Sequence, residues 1–235
     1  VTPTEIETAI ENAVKSGLWM VRTDDNGKSR NGSFEWQPLG EWTEAPDWNT
    51  TPECGGGLHG QTKEASGFRG KGRRVVFCET GKERIIIDTN KIKVRKARIL
   101  LINKLPPGLK FKYSLDLEGT QITKLPDNLS VGDSLDLRGT QITKLPDNLS
   151  VGDSLDLEGT QITKLPDNLS VGDYLDLRGT QITKLPDNLS VGGYLDLRGT
   201  QITKLPDNLS VGGYLDLRGT QITVIPKHLK KKVVQ

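Results

Sequence analysis

In the second half of the chain the apolar positions recur every twenty residues. Leu115, Leu117, Ile122, Leu125, Leu129 and Val131 set the pattern. The unit Leu-Asp-Leu-x-Gly-Thr-Gln-Ile-Thr-Lys-Leu-Pro-Asp-Asn-Leu-Ser-Val-Gly-x-x restarts at Leu135, Leu155, Leu175 and Leu195. A sixth copy opens at Leu215 and departs after Thr223 into Val224-Ile225-Pro226-Lys227-His228-Leu229. The frame also reaches back, because Leu105-Pro106-Pro107-Gly108-Leu109 stands one period before Leu125-Pro126-Asp127-Asn128-Leu129. Six apolar side chains are too few to close a core, so each unit must bury its leucines against its neighbours, and the pattern predicts a solenoid. Leu115 and Leu117 flank Asp116, the alternation of a strand with leucines inward and the carboxylate outward. Pro126 and its counterparts donate no N–H and suit a corner, as do Gly119 and Gly132. At ~4.8 Å per turn, six turns build a parallel ribbon roughly 25–30 Å long.

On the Leu-x-Leu, Gly-Thr-x-Ile and Leu-Pro-x-x-Leu framework, residues 105–229 resemble the short, twenty-residue leucine-rich repeats of bacterial effector proteins. The resemblance implies a right-handed stacked coil, as does the alternative below. One departure stands out: those repeats usually carry Asn where Thr120 and its equivalents stand, and a hydroxyl offers one group fewer for a buried hydrogen-bond ladder. The alternative is a three-sided parallel β-helix with short strands at Leu115–Leu117, Gln121–Thr123 and Leu129–Val131. The expected fold is therefore an α+β N-terminal domain followed by a right-handed repeat solenoid. Its divisions are an amphipathic helix (1–17), a cap or adaptor domain (18–102) and a solenoid of six repeats with a basic C-terminal cap (103–235).

The copies differ at few positions. Before Leu-Asp-Leu stand Ser114, Ser134 and Ser154, then Tyr174, Tyr194 and Tyr214. After it stand Glu118, Arg138, Glu158, Arg178, Arg198 and Arg218. Alternation places three columns on the outer face of the last three turns: Tyr174/Tyr194/Tyr214, Asp176/Asp196/Asp216 and Arg178/Arg198/Arg218. Tyr and Arg are enriched in binding hot spots, so these nine residues are the expected contact surface for a partner protein. The structural reading of the same columns is that tyrosines cover the sheet while arginines offset the repulsion of an aspartate ladder. One carboxylate per step is a poor calcium cage.

In the first hundred residues Thr2-Pro3-Thr4-Glu5 has the spacing of a capping box with proline at the first helical position. Ile6, Ile10, Ala13 and Val14 then share one face, and Ser16-Gly17 ends the helix. Strands are expected at Leu18–Thr23, Arg74–Glu79, Arg84–Asp88 and Lys91–Ile102, with turns at Asp25-Asn26-Gly27 and Thr80-Gly81. A loop-rich stretch carries Trp36, Trp42, Trp48 and the glycines around His59. Ile99–Ile102 is expected to shield the first coil, since terminal repeats need a cap. The pattern Gly32-x-Phe34-x-Trp36, Ala45-Pro46-Asp47-Trp48, Cys54-Gly55-x-Gly57-Leu58-His59-Gly60 and Lys91-x-Lys93-Val94 resembles an uncharacterised domain of phage and bacterial proteins. That resemblance implies a phage or mobile-element origin and no particular activity.

Composition narrows the chemistry. The longest apolar runs, such as Ile99–Ile102, fall far short of the ~20 residues a membrane span needs. Glu5, Glu7 and Glu11 stand where an export signal would be basic, which points to the cytoplasm. Two cysteines fit a reducing compartment. The net charge of +2 conceals a basic block at 69–112, where Lys91, Lys93 and Arg95 would line one strand face. Nucleic-acid binding and contact with the acidic first 64 residues both explain such a stripe. Arg22 and the Leu58-His59-Gly60 segment resemble the dinucleotide-holding residues of mono-ADP-ribosyltransferases, which implies an NAD site, although no catalytic Glu is assigned by motif. Cys54, His59 and Cys78 supply three potential zinc ligands without the paired spacing of a zinc site. The leading expectation is a non-catalytic interaction protein that needs no cofactor.

Overall fold

The computed structural model describes residues 1–24, 27, 35–52, 57–62, 72–88 and 91–234. It comprises an N-terminal antiparallel β domain with one helix, followed by a parallel β-solenoid of about six twenty-residue turns over 110–234.

Helix α1 (Pro3–Ser16) starts as its sequence dictates. The Thr2 hydroxyl accepts from Glu5 N–H, the Glu5 carboxylate accepts from Thr2 N–H at 2.7 Å, and Gly17 closes the other end at φ 71°. Ala9 and Ala13 are its buried residues, with Ile6, Ile10 and Val14 packed beside them. Strands β1 (Trp19–Asp24), β2 (Thr43–Glu44), β3 (Leu58–Gly60), β4 (Arg74–Thr80), β5 (Arg84–Asp88), β6 (Lys91–Val94) and β7 (Lys96–Ile102) follow. They form a four-stranded sheet, β1-β4-β7-β2, and a three-stranded sheet, β3-β6-β5.

Alternation along the four-stranded sheet sorts two cores. Trp19, Val21, Val75, Phe77 and Leu100 join the helix and the solenoid interior, whereas Met20, Val76, Cys78 and Ile99 pack with Leu58, Ile92 and Val94 of the smaller sheet. Trp19 meets Phe111 of the first coil edge-on, with ring centroids 5.4 Å apart. Main-chain bonds from Gln121 N–H to Arg73 O (2.7 Å) and from Asn103 N–H to Val75 O (2.6 Å) complete the junction. The expected strand Lys91–Ile102 is two strands broken at Arg95, and each belongs to a different sheet. Leu58–Gly60, expected as loop, is a strand. Of the expected turn at Asp25-Asn26-Gly27, Gly27 takes φ 85°, and Asp25 and Asn26 lie outside the described residues.

In the solenoid two parallel ribbons stack in register. One is six-stranded, from Lys110–Phe111 and Ser130–Val131 to Ser210–Val211. The other is seven-stranded, from Leu115–Asp116 to Leu215–Asp216 with Val233–Val234 added at the end. Gln121–Thr123, expected as a third strand in the β-helix alternative, forms none, and among the described residues the repeats contain no α-helix. Two features of the unit enforce the pitch. Gly119 and its equivalents take φ from +64° to +73°, a corner closed to most side chains. At Gly152 and Gly172 a Cβ would be driven into the carbonyl oxygen of the preceding turn, while Gly152 N–H donates to Val131 O at 2.9 Å. Thr120 resolves the departure from Asn: its buried hydroxyl donates to Leu117 O of its own turn at 2.8 Å, and Thr140 to Leu137 O at 2.7 Å. At the far end Leu229, in the short turn Lys227–Leu229, closes the core, and Lys232 Nζ donates to the Val211 and Gly212 carbonyls.

Candidate functional site

The Tyr/Asp/Arg columns lie on the outside of the seven-stranded ribbon, because Leu175 and Leu177 fill the interior on either side of Asp176. Tyr174 and Tyr194 stack with ring centroids 5.3 Å apart, near the spacing of successive turns. Tyr214, at the end of the row, is 66% exposed.

The aspartates differ from expectation. Asp176, Asp196 and Asp216 are not surface groups but 0% exposed, beneath the arginines two positions on and the hydroxyls of Tyr174 and Tyr194. Arg178 Nη2 reaches Asp176 Oδ2 at 2.5 Å, and Arg198 and Arg218 reach Asp196 and Asp216 at 2.6 Å. Arg178 and Arg198 also lean toward the next turn, with Arg178 Nε 3.5 Å from Asp196 and Arg198 Nε 3.5 Å from Asp216. From the other side the Tyr174 hydroxyl donates to Asp176 Oδ2 at 2.7 Å and the Tyr194 hydroxyl to Asp216 Oδ2 at 2.9 Å.

These contacts set the titration behaviour. The Arg218 hydrogen bond outweighs burial and holds Asp216 down at about 2. Burial pushes Asp176 up, but hydrogen bonds from Arg178 and Tyr174 overcome it and leave the group below its ordinary value. Tyr194 is pushed up to about 12 by burial and by donating to Asp216, and Tyr174 is raised for the corresponding reasons. What a partner would meet is therefore tyrosine edges and half-exposed guanidiniums over a neutralised, prearranged layer.

Where serine replaces tyrosine the layer is thinner. The Asp136 and Asp156 side chains keep 21% and 23% exposure. Glu118 and Glu158 replace the arginine in two of these turns, so Asp116, Glu118 and Asp136, and again Asp156, Glu158 and Asp176, gather carboxylate oxygens within 4.8 Å of one another. Arginines already answer both groups: Arg178 meets Glu158 at 2.8 Å, and Arg138 meets Asp136 at 2.5 Å and Asp156 at 3.2 Å. Burial, with the charges of Asp176 and Asp136 adding to it, raises Asp156 to about 6.

In the N-terminal domain, Leu58 and Gly60 face the core and His59 alternates to the other side. Arg22 shares the face of Met20, the side chain that a Cβ on Gly60 would strike. Arg22 and His59 thus point to opposite sides, although burial and then the charges of Lys91 and Arg22 hold the imidazole down at about 4. Cys78 is buried, its thiol pushed up to about 12, and Cys54 lies outside the described residues. The expected basic stripe is interrupted as well. Lys93 is fully buried, with Nζ 2.8 Å from Asn49 Oδ1 and 5.9 Å from the Trp48 ring centroid. Arg74 pairs with Asp24 and Arg95 with Glu44, so part of the basic block answers the acidic first 64 residues. No sequence signal short of the Ile-Lys-Val alternation marked Lys93 as buried.

The fold and its outer ladder define a β-solenoid protein with a β-rich N-terminal domain. Comparison of the chain with protein-family models, curated proteins and solved structures finds no match. Among the described residues, no helix is long and apolar enough to cross a membrane.

Proposed function

We propose that the last three solenoid turns form a protein-binding face, with Tyr174, Tyr194, Tyr214, Arg178, Arg198 and Arg218 as contact residues. Asp176, Asp196 and Asp216 serve beneath them as positioning residues. The observation that carries this reading is the stacked, hydrogen-bonded arrangement of Tyr174 and Tyr194. Side chains already fixed on a rigid ribbon lose little freedom on binding, where each flexible side chain would cost about 0.5–1.5 kcal/mol. The partner face complementary to it is apolar enough to receive the tyrosine rings and carries carboxylates for the exposed edges of the arginines. We further read the two helix-free ribbons as favouring a β-solenoid coil over a leucine-rich repeat with a helical back.

The test is the triple variant Tyr174→Ser, Tyr194→Ser, Tyr214→Ser, which gives these turns the residue of the first three. It should keep the circular dichroism of the parent and lose the protein captured by the parent from source-cell extract. Equal capture by a folded variant overturns the reading.

A further inference from the structure

Arg22 is 7% exposed, and its Nε is buried without a hydrogen-bond acceptor. The guanidinium lies over Trp36, 5.2 Å from the ring centroid, and the ring face holds the guanidinium plane without supplying a negative charge. Among the described residues, the ionisable groups acting on it, Cys78 and Asp24, leave it without a charge partner of its own. Asp24, on the same face of β1, gives Oδ1 to Arg74 Nε at 2.7 Å and Oδ2 to Arg74 Nη2 at 2.9 Å. The Cys78 thiol, pushed up to about 12, and the His59 imidazole, held down at about 4, are neutral at pH 7. Among the described residues, therefore, the carboxylate that acts on Arg22 is bonded to the more exposed Arg74. An arginine cannot shed its proton as a buried lysine does, so it must be matched by an anion or carry an uncompensated desolvation cost of several kcal/mol.

We propose that Arg22 anchors a small oxyanion site in the N-terminal domain, at the end of β1 beside Trp36, which takes one carboxylate or phosphate group of a ligand. The guanidinium fork matches two oxygens of either group, and the indole beneath it keeps that fork in one plane. This site is separate from the tyrosine face of the solenoid. It also differs from a paired Arg22–His59 site, since His59 points to the other side of its strand.

The full chain in chloride buffer at pH 7.5 is titrated with phosphate and, separately, with acetate at matched ionic strength. Melting temperature and Trp fluorescence are followed. At least one of the two anions should raise the melting temperature and shift the emission saturably, and which one does so identifies the group. Arg22→Met, of similar length without charge, should melt above the parent in chloride and bind the effective anion roughly tenfold or more weakly. Arg22→Lys, which keeps charge but not the fork, should fall between. A parent indifferent to both anions overturns the proposal, as does a folded Arg22→Met with undiminished anion response. If Arg22→Met does not fold, the parent titration and Arg22→Lys decide by the same criteria.

Discussion

The first three and last three turns of the solenoid share the same leucines, the same aspartate and the same strand register, yet the aspartate lives in two environments. Under Ser134 and Ser154 it keeps about a fifth of its exposure, and under Tyr174 and Tyr194 it has none. The interior is indifferent to the change, since Leu137 and Leu177 are both 0% exposed. Tyrosine for serine, with arginine for Glu118 and Glu158, thus covers the acidic row with an ion-pair layer without touching the core. Covering is tolerated because Arg178 and Arg198 each serve two aspartates, their own and the next turn's, and Arg218 serves Asp216. In the turn where Glu158 takes the arginine's place, burial and then the charges of Asp176 and Asp136 raise the Asp156 carboxyl to about 6.

Four measurements break or sharpen this comparison. The largest effect belongs to what the halves share: Leu137→Ala and Leu177→Ala should each cost about 2–5 kcal/mol in urea denaturation, and within error of one another. Unequal costs would mean that the interiors differ as well. Next, Asp196→Asn should cost about 2–3 kcal/mol, because it strips a buried carboxylate from two arginines. Asp136→Asn, at a half-exposed site, should cost under about 1 kcal/mol. Equal costs would show that burial of the aspartate carries no energy.

The third measurement is the pH profile. Asp156 has a folded value above its ordinary 3.8, so its stabilising contribution is complete below about pH 4 and is lost as pH rises through 6. Asp216 has a folded value below its ordinary one, so its contribution stands above about pH 4 and is lost as pH falls toward 2. Asp156→Asn should therefore flatten the decline in melting temperature between pH 4 and 6, worth on the order of 2 kcal/mol, and leave the acid limb unchanged. The smallest effect is expected of Tyr194→Ser, at about 1 kcal/mol, the worth of one hydroxyl-to-carboxylate bond and one ring stack. It should also remove a tyrosine titrating near 12 in ultraviolet absorbance.

The N-terminal domain was legible where local rules are strong. The capping box at Thr2–Glu5 and the strand Arg74–Thr80 emerge close to where residue pattern places them. Leu58–Gly60 was missed because three residues hold too little alternation to register, and the break at Arg95 because both flanking segments read equally as strand. At the candidate site the columns were legible and their burial was not. A tyrosine two places before an aspartate fixes which face it shares but not how far it leans, which depends on rings twenty residues away.

By itself the sequence determined that the second half stacks, in what register, and with which side chains inward, because a unit with six apolar groups has no other way to hide them and an unvarying twenty-residue period permits one alignment. Tertiary structure alone decided that the outer aspartates are sealed beneath tyrosine and arginine, that Lys93 is buried against Trp48, and that Arg22 is buried while Asp24 on its own strand is bonded to Arg74. Those outcomes depend on which side chain from a neighbouring turn or strand arrives first at a charge, and no local pattern encodes that competition.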